Sequence, residues 1–312
     1  MDMLRVFLLG RFHIQSGEQI LTTLNTAKQL QELFSYLLLY QERPHFRETL
    51  ANLLWDETAT TQPQRCLRKT LWSLRDALDA QIDHLSEALF LIEPEWIQIN
   101  PEANLWLDTA IFEQAFATVR DVPGAEITSQ SAENLKNVVD LYHGDLLEGV
   151  YHDWAIYERE RFQHMYLVML SKLMDYCEAH QEYKAGIDYG TRILYYDRAH
   201  ERTHRQLMRL YCLDDNRTEA LRQYERFTEA LDSELGVKPT QRTRALYQQI
   251  RQDQFNTPTA SQDPDNAPAN VAASVLPDML NRLRQFQATL VEMQTQVYKD
   301  IQIVDCLLNG RC

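Results

Sequence analysis

The chain has 312 residues and a formal net charge of −14. This length allows two or three domains with buried cores. The negative charge excludes a protein that coats nucleic acid through charge alone, so any contact with DNA must come from a local basic patch. The N-terminal part is acidic as well, with nine Lys and Arg against fourteen Asp and Glu up to Trp106.

The sequence lacks the signals of a membrane or secreted protein. No stretch approaches the ~18 apolar residues that a membrane span needs, and the N-terminus has neither the basic region nor the long apolar region of a signal peptide. The cysteines are scattered and odd in number, without CxxC spacing: Cys66, Cys177, Cys212, Cys306 and Cys312. We therefore expect a reduced, cytoplasmic protein without a membrane span, a zinc site or a disulfide framework.

The N-terminal residues predict a small antiparallel sheet followed by two helices. Short apolar or alternating runs at 4–9, 11–15 and 20–24 favour strands, with a turn at Ser16-Gly17-Glu18. Apolar residues then recur at helical spacing over 27–40 and 46–55, and Pro44 ends the first of these helices.

The stretch TQPQRCLRKTLWSLRDAL, residues 61–78, predicts an amphipathic helix. Thr60 or Thr61 can cap it, and Pro63 suits its first turn. Its buried stripe consists of Leu67, Leu71, Leu74 and Leu78, and its opposite face carries Arg65, Arg68, Lys69 and Trp72. This layout is typical of a DNA-recognition helix, because the cations reach phosphates or guanine edges while the leucines fix the helix on its domain. A surface helix with a solvated charged face is the alternative.

A β-hairpin is predicted after the basic helix. Ala88–Ile92 and Trp96–Ile99 are rich in β-forming residues, and Glu93-Pro94-Glu95 separates them. The resulting order of sheet, two helices, basic helix and hairpin is that of a winged helix, in which the hairpin lies beside the recognition helix.

Beyond Trp106 the sequence predicts helices. They are expected at 107–116, where Asp108 or Thr109 can cap, at 132–141, in a long helix through His180, and at 240–252; residues 121–130 read as a loop. Tyr183–Tyr196 and Arg217–Ala230 align at an offset of 34 residues, which is the tetratricopeptide period. Such helix pairs stack and leave a groove.

The C-terminal part predicts a linker and a final helix. Residues 253–277 are rich in proline and small polar residues. Apolar residues then keep a coiled-coil spacing at Leu283, Phe286, Leu290, Met293 and Val297, and it resumes after one extra residue at Ile301, Val304 and Leu308. Self-association or binding to a partner is the interpretation we favour, and an amphipathic helix docked on its own chain is the alternative.

Three stretches of the helical part resemble the bacterial transcriptional activator domain: LYHGDLLEGVYHDWAIYERER at 141–161, RAHERTHRQLMRLY at 198–211, and RTEALRQYERFTEALDSELGVKPTQRTRALYQQI at 217–250. In the N-terminal part, RCLRKTLWSLRDAL and IQINPEANLWLDTAIFE match the same architecture. The chain thus resembles the SARP family of antibiotic-pathway activators and their AfsR-like relatives over roughly residues 3–252.

The resemblance implies a DNA-binding transcriptional activator of mainly α fold. Its parts are an OmpR-type winged helix of α+β structure at 1–106, an all-α tetratricopeptide-like activator domain at 107–252, a linker at 253–277 and a coiled-coil-like helix at 278–309. Double-stranded DNA at promoter-proximal repeats, RNA polymerase and a second copy of the chain are the implied partners, and the final helix offers a surface for a further protein partner. The implied DNA-binding residues are Gln64, Arg65, Arg68, Lys69, Trp72, Arg75 and Arg47.

Two features depart from the family pattern. Asp76 stands where the recognition helix usually carries a second arginine, and the wing has Glu93 and Glu95 but no Lys or Arg. Both changes weaken non-specific affinity for DNA. They keep open a second hypothesis, an adaptor with weak or lost DNA binding that assembles a regulatory complex through its helical repeats. Ligand sensing in the repeat groove is compatible with either hypothesis.

No pattern of catalytic residues is found, so an enzyme is not predicted. There is no nucleophile elbow, Ser/His/Asp arrangement or paired-carboxylate pattern. The sequence has no GxxxxGK[ST] loop, so ATP is not implied and no cofactor is expected. His143, His152 and Asp153 lack the spacing of a metal site. The tyrosines of 183–196 favour repeat packing over a ligand cage.

Overall fold

The computed structural model describes residues 3–21, 24, 27–55 and 62–255, which belong to one compact unit. The predicted cap residues Thr60 and Thr61, the predicted linker from residue 256 onward and the predicted helix 278–309 lie outside the described residues.

The N-terminal part alternates short strands and helices. Its elements are β1 (Leu4–Phe7), β2 (His13–Ser16), β3 (Gln19–Leu21), α1 (Lys28–Leu39), β4 (His45–Phe46), α2 (Arg47–Leu54), α3 (Pro63–Asp79), α4 (Leu85–Leu89), β5 (Phe90–Ile92), β6 (Trp96–Ile99) and β7 (Leu105–Leu107). One sheet has the order β3-β2-β1-β7 and the other β4-β6-β5. Helix α3 packs against α1, α2 and α4.

The predicted winged helix is present, with three corrections. Strand β7 pairs parallel to β1, with Leu4 opposite Leu105, so the first sheet is mixed rather than antiparallel. Strand β4 adds to the hairpin through β6. Ala88 and Leu89 belong to α4 instead of the hairpin's first strand. Two- and three-residue strands contain too few positions for alternation to be recognised, and their pairing depends on distant residues.

The regular elements of the second part, within the described residues, are helices. Its elements are α5 (Asp108–Val119), a 3₁₀ turn (Gly124–Glu126), α6 (Ser129–Val139), α7 (Asp153–Ala179), α8 (Tyr183–Tyr196), α9 (Glu201–Leu213), α10 (Arg217–Leu235) and α11 (Gln241–Arg251). The predicted loop at 121–130 therefore contains the 3₁₀ turn, and α6 begins within its last residues.

The predicted repeat corresponds to two consecutive helix pairs, α8 with α9 and α10 with α11. Gly186 of α8 is buried where a Cβ atom would lie 3.0 Å from Leu210 of α9 and 3.2 Å from Cys177 of α7. Ala220 occupies the equivalent position of α10 and is fully buried. Small side chains at this position allow the helices to approach closely. The predicted fold class, a winged helix followed by tetratricopeptide-like helices, is confirmed.

A buried carboxylate joins the two parts. Asp108, the first residue of α5, is fully buried, and its Oδ2 accepts hydrogen bonds from the backbone N–H groups of Leu8 and Leu9, each at 2.8 Å. Its Oδ1 accepts the N–H of Thr109 at 2.7 Å. The expected capping role is therefore modified, since Leu107 occupies the cap position. Asp108 also accepts hydrogen bonds from the backbone N–H groups that follow β1.

Further contacts hold the same junction together. The N–H of Leu147 donates to the carbonyl of Leu8 at 3.3 Å. The Tyr40 hydroxyl, just after α1, donates to Glu158 Oε1 of α7 at 2.9 Å. The rings of Tyr36 and Trp154 meet edge to face at 5.2 Å between centroids. The winged helix and the helical part are thus connected by backbone, polar and aromatic contacts.

The stability of this junction should depend on pH through Asp108. Burial raises the pKa of Asp108 from 3.8 to about 6, although its three N–H partners oppose the rise. Between these values the folded state keeps a proton that the unfolded state has lost, so the contribution of this carboxyl to stability is complete below pH 4 and is lost as the pH rises through 6. The Asp108→Asn variant carries no such group. Its free energy of unfolding, relative to the wild type, should rise by up to about 3 kcal/mol between pH 4 and pH 7. Urea denaturation of both proteins across this range measures the difference, and a difference that stays constant with pH would contradict the assignment.

Candidate nucleic-acid interface

Helix α3 is fixed by its apolar stripe. Pro63 is its first residue, and the N–H groups of Arg65 and Cys66 donate to the Gln62 carbonyl at 3.1 and 3.2 Å. The predicted stripe is buried, and Thr70 joins it: Leu67, Thr70, Leu71, Leu74 and Leu78. Burial of four leucines stabilises the fold by several kcal/mol in total and sets which face of α3 points outward.

The opposite face is exposed, as predicted. It carries Gln64, Arg65, Arg68, Lys69, Trp72 and Asp76. Arg65 donates to Gln62 Oε1 at 3.4 Å, whereas Arg68 and Lys69 form no ion pair with any side chain in the described ranges. Trp72 is 65% exposed, which is unusual for the largest apolar side chain. This face therefore offers cations and an aromatic ring to a partner outside the chain.

Arg75 differs from the other predicted residues because it is half-buried and engaged. Its Nε donates to Ser86 Oγ at 3.4 Å. The same Ser86 hydroxyl donates to Asp79 Oδ2 at 2.6 Å, and the Ser86 N–H donates to Asp79 Oδ1 at 2.8 Å. This network joins the end of α3 to the start of α4. Arg75 therefore fixes the helix, and the structure does not place it with the exposed cations.

Arg47 lies in a groove with two residues of α3. The groove has a volume of about 540 Å³ and is lined by Phe46, Arg47, Glu48, Thr49, Gln64, Leu67, Arg68, Pro94 and Glu95. The Arg47 N–H donates to the Glu95 carbonyl at 2.9 Å, which ties α2 to the hairpin turn. Its Nε is buried and lacks a hydrogen-bond partner within the described part of the chain. The structure thus brings Arg47, Gln64 and Arg68 to one place.

Sequence reasoning missed Phe46 and Thr49, which line the same groove. Phe46 is exposed although it is aromatic, and Thr49 is a polar residue in the first turn of α2. The sequence could have indicated these two residues, because they lie beside Arg47 at the start of the helix that precedes the basic helix. A helix N-terminus attracts anions such as phosphate. At α2 the Arg47 N–H is already bonded to Glu95, and Thr49 adds a hydroxyl donor.

The predicted hairpin lies next to this groove. Strands β5 and β6 pair antiparallel, with Phe90 opposite Ile99, and the Glu93 N–H donates to the Trp96 carbonyl at 2.9 Å across the turn. Both turn carboxylates, Glu93 and Glu95, are exposed. The tip of the wing is therefore negative. The phosphates of any DNA that contacts α3 must either stay away from this tip or be repelled by its carboxylates.

The described residues offer no competing metal or membrane site. Among them, no group of three or more His, Cys, Asp or Glu side chains is arranged to hold a metal ion. No helix in those ranges is both long and apolar enough to span a bilayer. The exposed face of α3 offers three cations, an amide, an aromatic ring and the carboxylate of Asp76 to a partner.

Comparison with known proteins identifies the helical part. Residues 107–251 match the bacterial transcriptional activator domain. Among solved structures, the chain is similar to EmbR of Mycobacterium tuberculosis in complex with a low-affinity phosphopeptide, with a TM-score of 0.66 and 18% sequence identity over 89% of this chain and 71% of that chain. At this identity the similarity concerns the fold. The search of curated proteins gave no match.

The Arg75–Ser86–Asp79 network gives a prediction with a matched control on the same helix. Asp79→Ala should lower the free energy of unfolding by about 1–3 kcal/mol, because two hydrogen bonds to Ser86 are lost. Asp76→Ala removes an exposed carboxylate and should change it by less than about 0.5 kcal/mol. Urea denaturation of both variants measures the contrast. Equal effects would show that the network does not hold α4 against α3.

Proposed function

Because residues 107–251 form a bacterial transcriptional activator domain, as the sequence resemblance implied, we propose that the chain is a sequence-specific DNA-binding transcriptional activator of the SARP type. The activator domain indicates a regulator rather than an enzyme. The observation that carries the DNA-binding proposal is the exposed face of α3, where Arg65, Arg68 and Lys69 surround Trp72 on a helix anchored by leucines.

In this proposal, α3 enters the major groove. Arg65 and Arg68 donate to guanine edges or phosphates, Lys69 contacts phosphate, and Gln64 contacts a base or the backbone at the start of the helix. Arg47 and the N-terminus of α2 hold a neighbouring phosphate. The sites are promoter-proximal repeats, as the family resemblance implies. Arg75 supports α3 from within the protein.

The remaining parts supply the contacts that activation requires. We propose that residues 1–106 bind DNA, that 107–252 contact RNA polymerase or another partner, and that 253–277 link them to a helix at 278–309. A homodimer would place two recognition helices on two repeats, and the final helix offers it a further interface.

An acidic chain can bind DNA if its positive charges are concentrated at one face. Charges more than about 10 Å apart are largely screened at 0.1 M salt, so the net charge of −14 acts weakly on a phosphate that touches α3. The overall charge instead reduces binding to random DNA, since long-range attraction is weak. The expected result is low non-specific affinity and a large dependence on the correct sequence.

The negative wing supports one alternative function, a protein adaptor with weak or lost DNA binding. Glu95 lines the groove beside Arg47 and Arg68, and Glu48 lies there too. Two carboxylates near two arginines weaken the attraction of this groove for phosphate. An adaptor would bind duplexes of any sequence equally weakly, whereas an activator must prefer its own promoter DNA.

Substitution of Arg68 tests the activator proposal. Arg68→Ala should abolish sequence-specific binding. For the residual non-specific binding, the magnitude of the slope of log affinity against log salt should fall by about one, because one cation leaves the interface. Fluorescence anisotropy of the full chain with labelled DNA from upstream of its own gene, at two salt concentrations, measures both effects. A scrambled duplex reports non-specific binding.

Arg244→Ala provides the matched control for this titration. Arg244 is an exposed arginine of α11, so its removal changes the net charge equally without touching α3. The affinity of the Arg244→Ala variant for the promoter duplex should equal that of the wild type. If Arg68→Ala retained specific binding, the role assigned to Arg68 would be wrong; if the wild type bound both duplexes alike, the adaptor would be favoured.

Trp72 should read thymine methyl groups, because an apolar ring in the major groove gains by contact with them. Replacing thymine by uracil in the bound site removes only these methyl groups. Wild-type affinity should fall about threefold to fourfold per contacted methyl group, and the Trp72→Ala variant should bind thymine and uracil duplexes equally. If uracil lowered the affinity of the wild type and of the Trp72→Ala variant by the same factor, Trp72 would not contact the methyl groups.

A further inference from the structure

A second groove lies in the helical part, far along the chain from α3. It has a volume of about 590 Å³, and its lining comes from α8, α9, α10 and the loop between α8 and α9. Leu194 and Tyr211, both half-buried, supply apolar surface, while Arg198 and Arg226 supply cations. This volume lies in the range of sites that hold small organic molecules.

A buried polar pair defines one wall of this groove. His204 Nε2 lies 2.9 Å from the Arg198 carbonyl, which can only accept, so Nε2 carries the proton. His204 Nδ1 then accepts a hydrogen bond from Gln223 Nε2 at 2.8 Å. Burial lowers the pKa of His204, which favours this neutral form. The amide of Gln223 is therefore oriented, with its Oε1 available to a donor.

That donor is Arg226, whose guanidinium is held in place. Its Nη1 donates to Gln223 Oε1 at 3.2 Å and its Nη2 to Glu219 Oε2 at 3.1 Å. An arginine fixed in this way loses little side-chain entropy when it binds an anion. Arg198 is exposed and forms no ion pair with any of the described side chains, so its charge is available at the same groove.

We propose that this groove binds a small molecule in which an anionic group is attached to an apolar ring. The anionic group lies against Arg198 and Arg226, and the ring packs on Leu194 and Tyr211, which are half-buried. Charge complementarity rests mainly on Arg198, whereas Arg226 already pairs with Glu219 and offers its remaining N–H donors to the same groove. One carboxylate, Glu229, also lines the groove and opposes the anion. The proposal is independent of DNA binding.

The fluorescent probe 8-anilinonaphthalene-1-sulfonate joins a sulfonate to aromatic rings and therefore tests the site. Titrated into the full chain, it should bind with one saturable site. Arg198→Ala should weaken this site about tenfold, since a charge-assisted contact is lost. Glu229→Gln should strengthen it about twofold, because a like charge is removed. Arg244→Ala should leave it unchanged.

Two further measurements define which chemical groups the groove recognises. Uncharged N-phenyl-1-naphthylamine should bind more weakly than the sulfonate probe. Benzoate and phenyl phosphate should displace the probe, and their relative strength distinguishes carboxylate from phosphate ligands. Three outcomes would overturn the proposal: equal binding by the Arg198→Ala variant, equal binding of the uncharged probe, or displacement by oligoglutamate alone, which would assign the groove to an acidic protein partner.

Discussion

The buried carboxylate of Asp108 is the interaction on which the arrangement of the molecule depends. It belongs to the first turn of α5, yet it satisfies the backbone N–H groups of Leu8 and Leu9 where the chain leaves β1. Without an acceptor at this place, two buried donors would be unpaired, at a cost of about 1–3 kcal/mol each. Because β1 also pairs with β7, which leads directly into α5, one residue ties the first strand, the last strand and the first helix of the second part. The winged helix is thus continuous with the helical part, and the contacts between α1 and α7 add to the same junction.

This continuity determines how α3 is presented. Its leucine stripe packs within a core that α1 and α2 share, and the Ser86–Asp79 contact holds its C-terminal end. The backbone of α3 is therefore fixed before binding, whereas the exposed side chains of Arg68 and Lys69 still lose rotamer entropy when they contact a partner. The acidic wing repels the phosphates that the cations of α3 attract. In the proposed complex, contacts to the DNA bases must therefore supply binding free energy that contacts to the DNA backbone do not. In the proposed complex with DNA, Arg68 and Trp72 would therefore carry more of the recognition than they would beside a basic wing.

The sequence predicted those features that depend on local periodicity. The leucines of α3 recur because one face must be buried, and the exposed cations follow from the same helical geometry. The repeat of α8 and α10 was found through its spacing. Features that depend on distant residues were missed. Two of the three donors to Asp108 lie 99 and 100 residues away, and β7 pairs with β1, at the other end of the winged-helix sequence. The sequence pattern places Arg75 at the edge of the exposed face of α3, because it does not predict α4, which carries the hydrogen-bond partner Ser86.

Selection from a library of random duplexes tests most directly whether α3 is a sequence-reading surface. The full chain would be incubated with the library near physiological salt, and bound DNA would be sequenced over successive rounds. The activator account predicts a recurring motif arranged as repeats about one helical turn apart, enriched by the wild type and not by Arg65→Ala/Arg68→Ala. Recovery of unrelated sequences by the wild type would contradict sequence-specific binding and leave the adaptor as the function that fits the acidic wing.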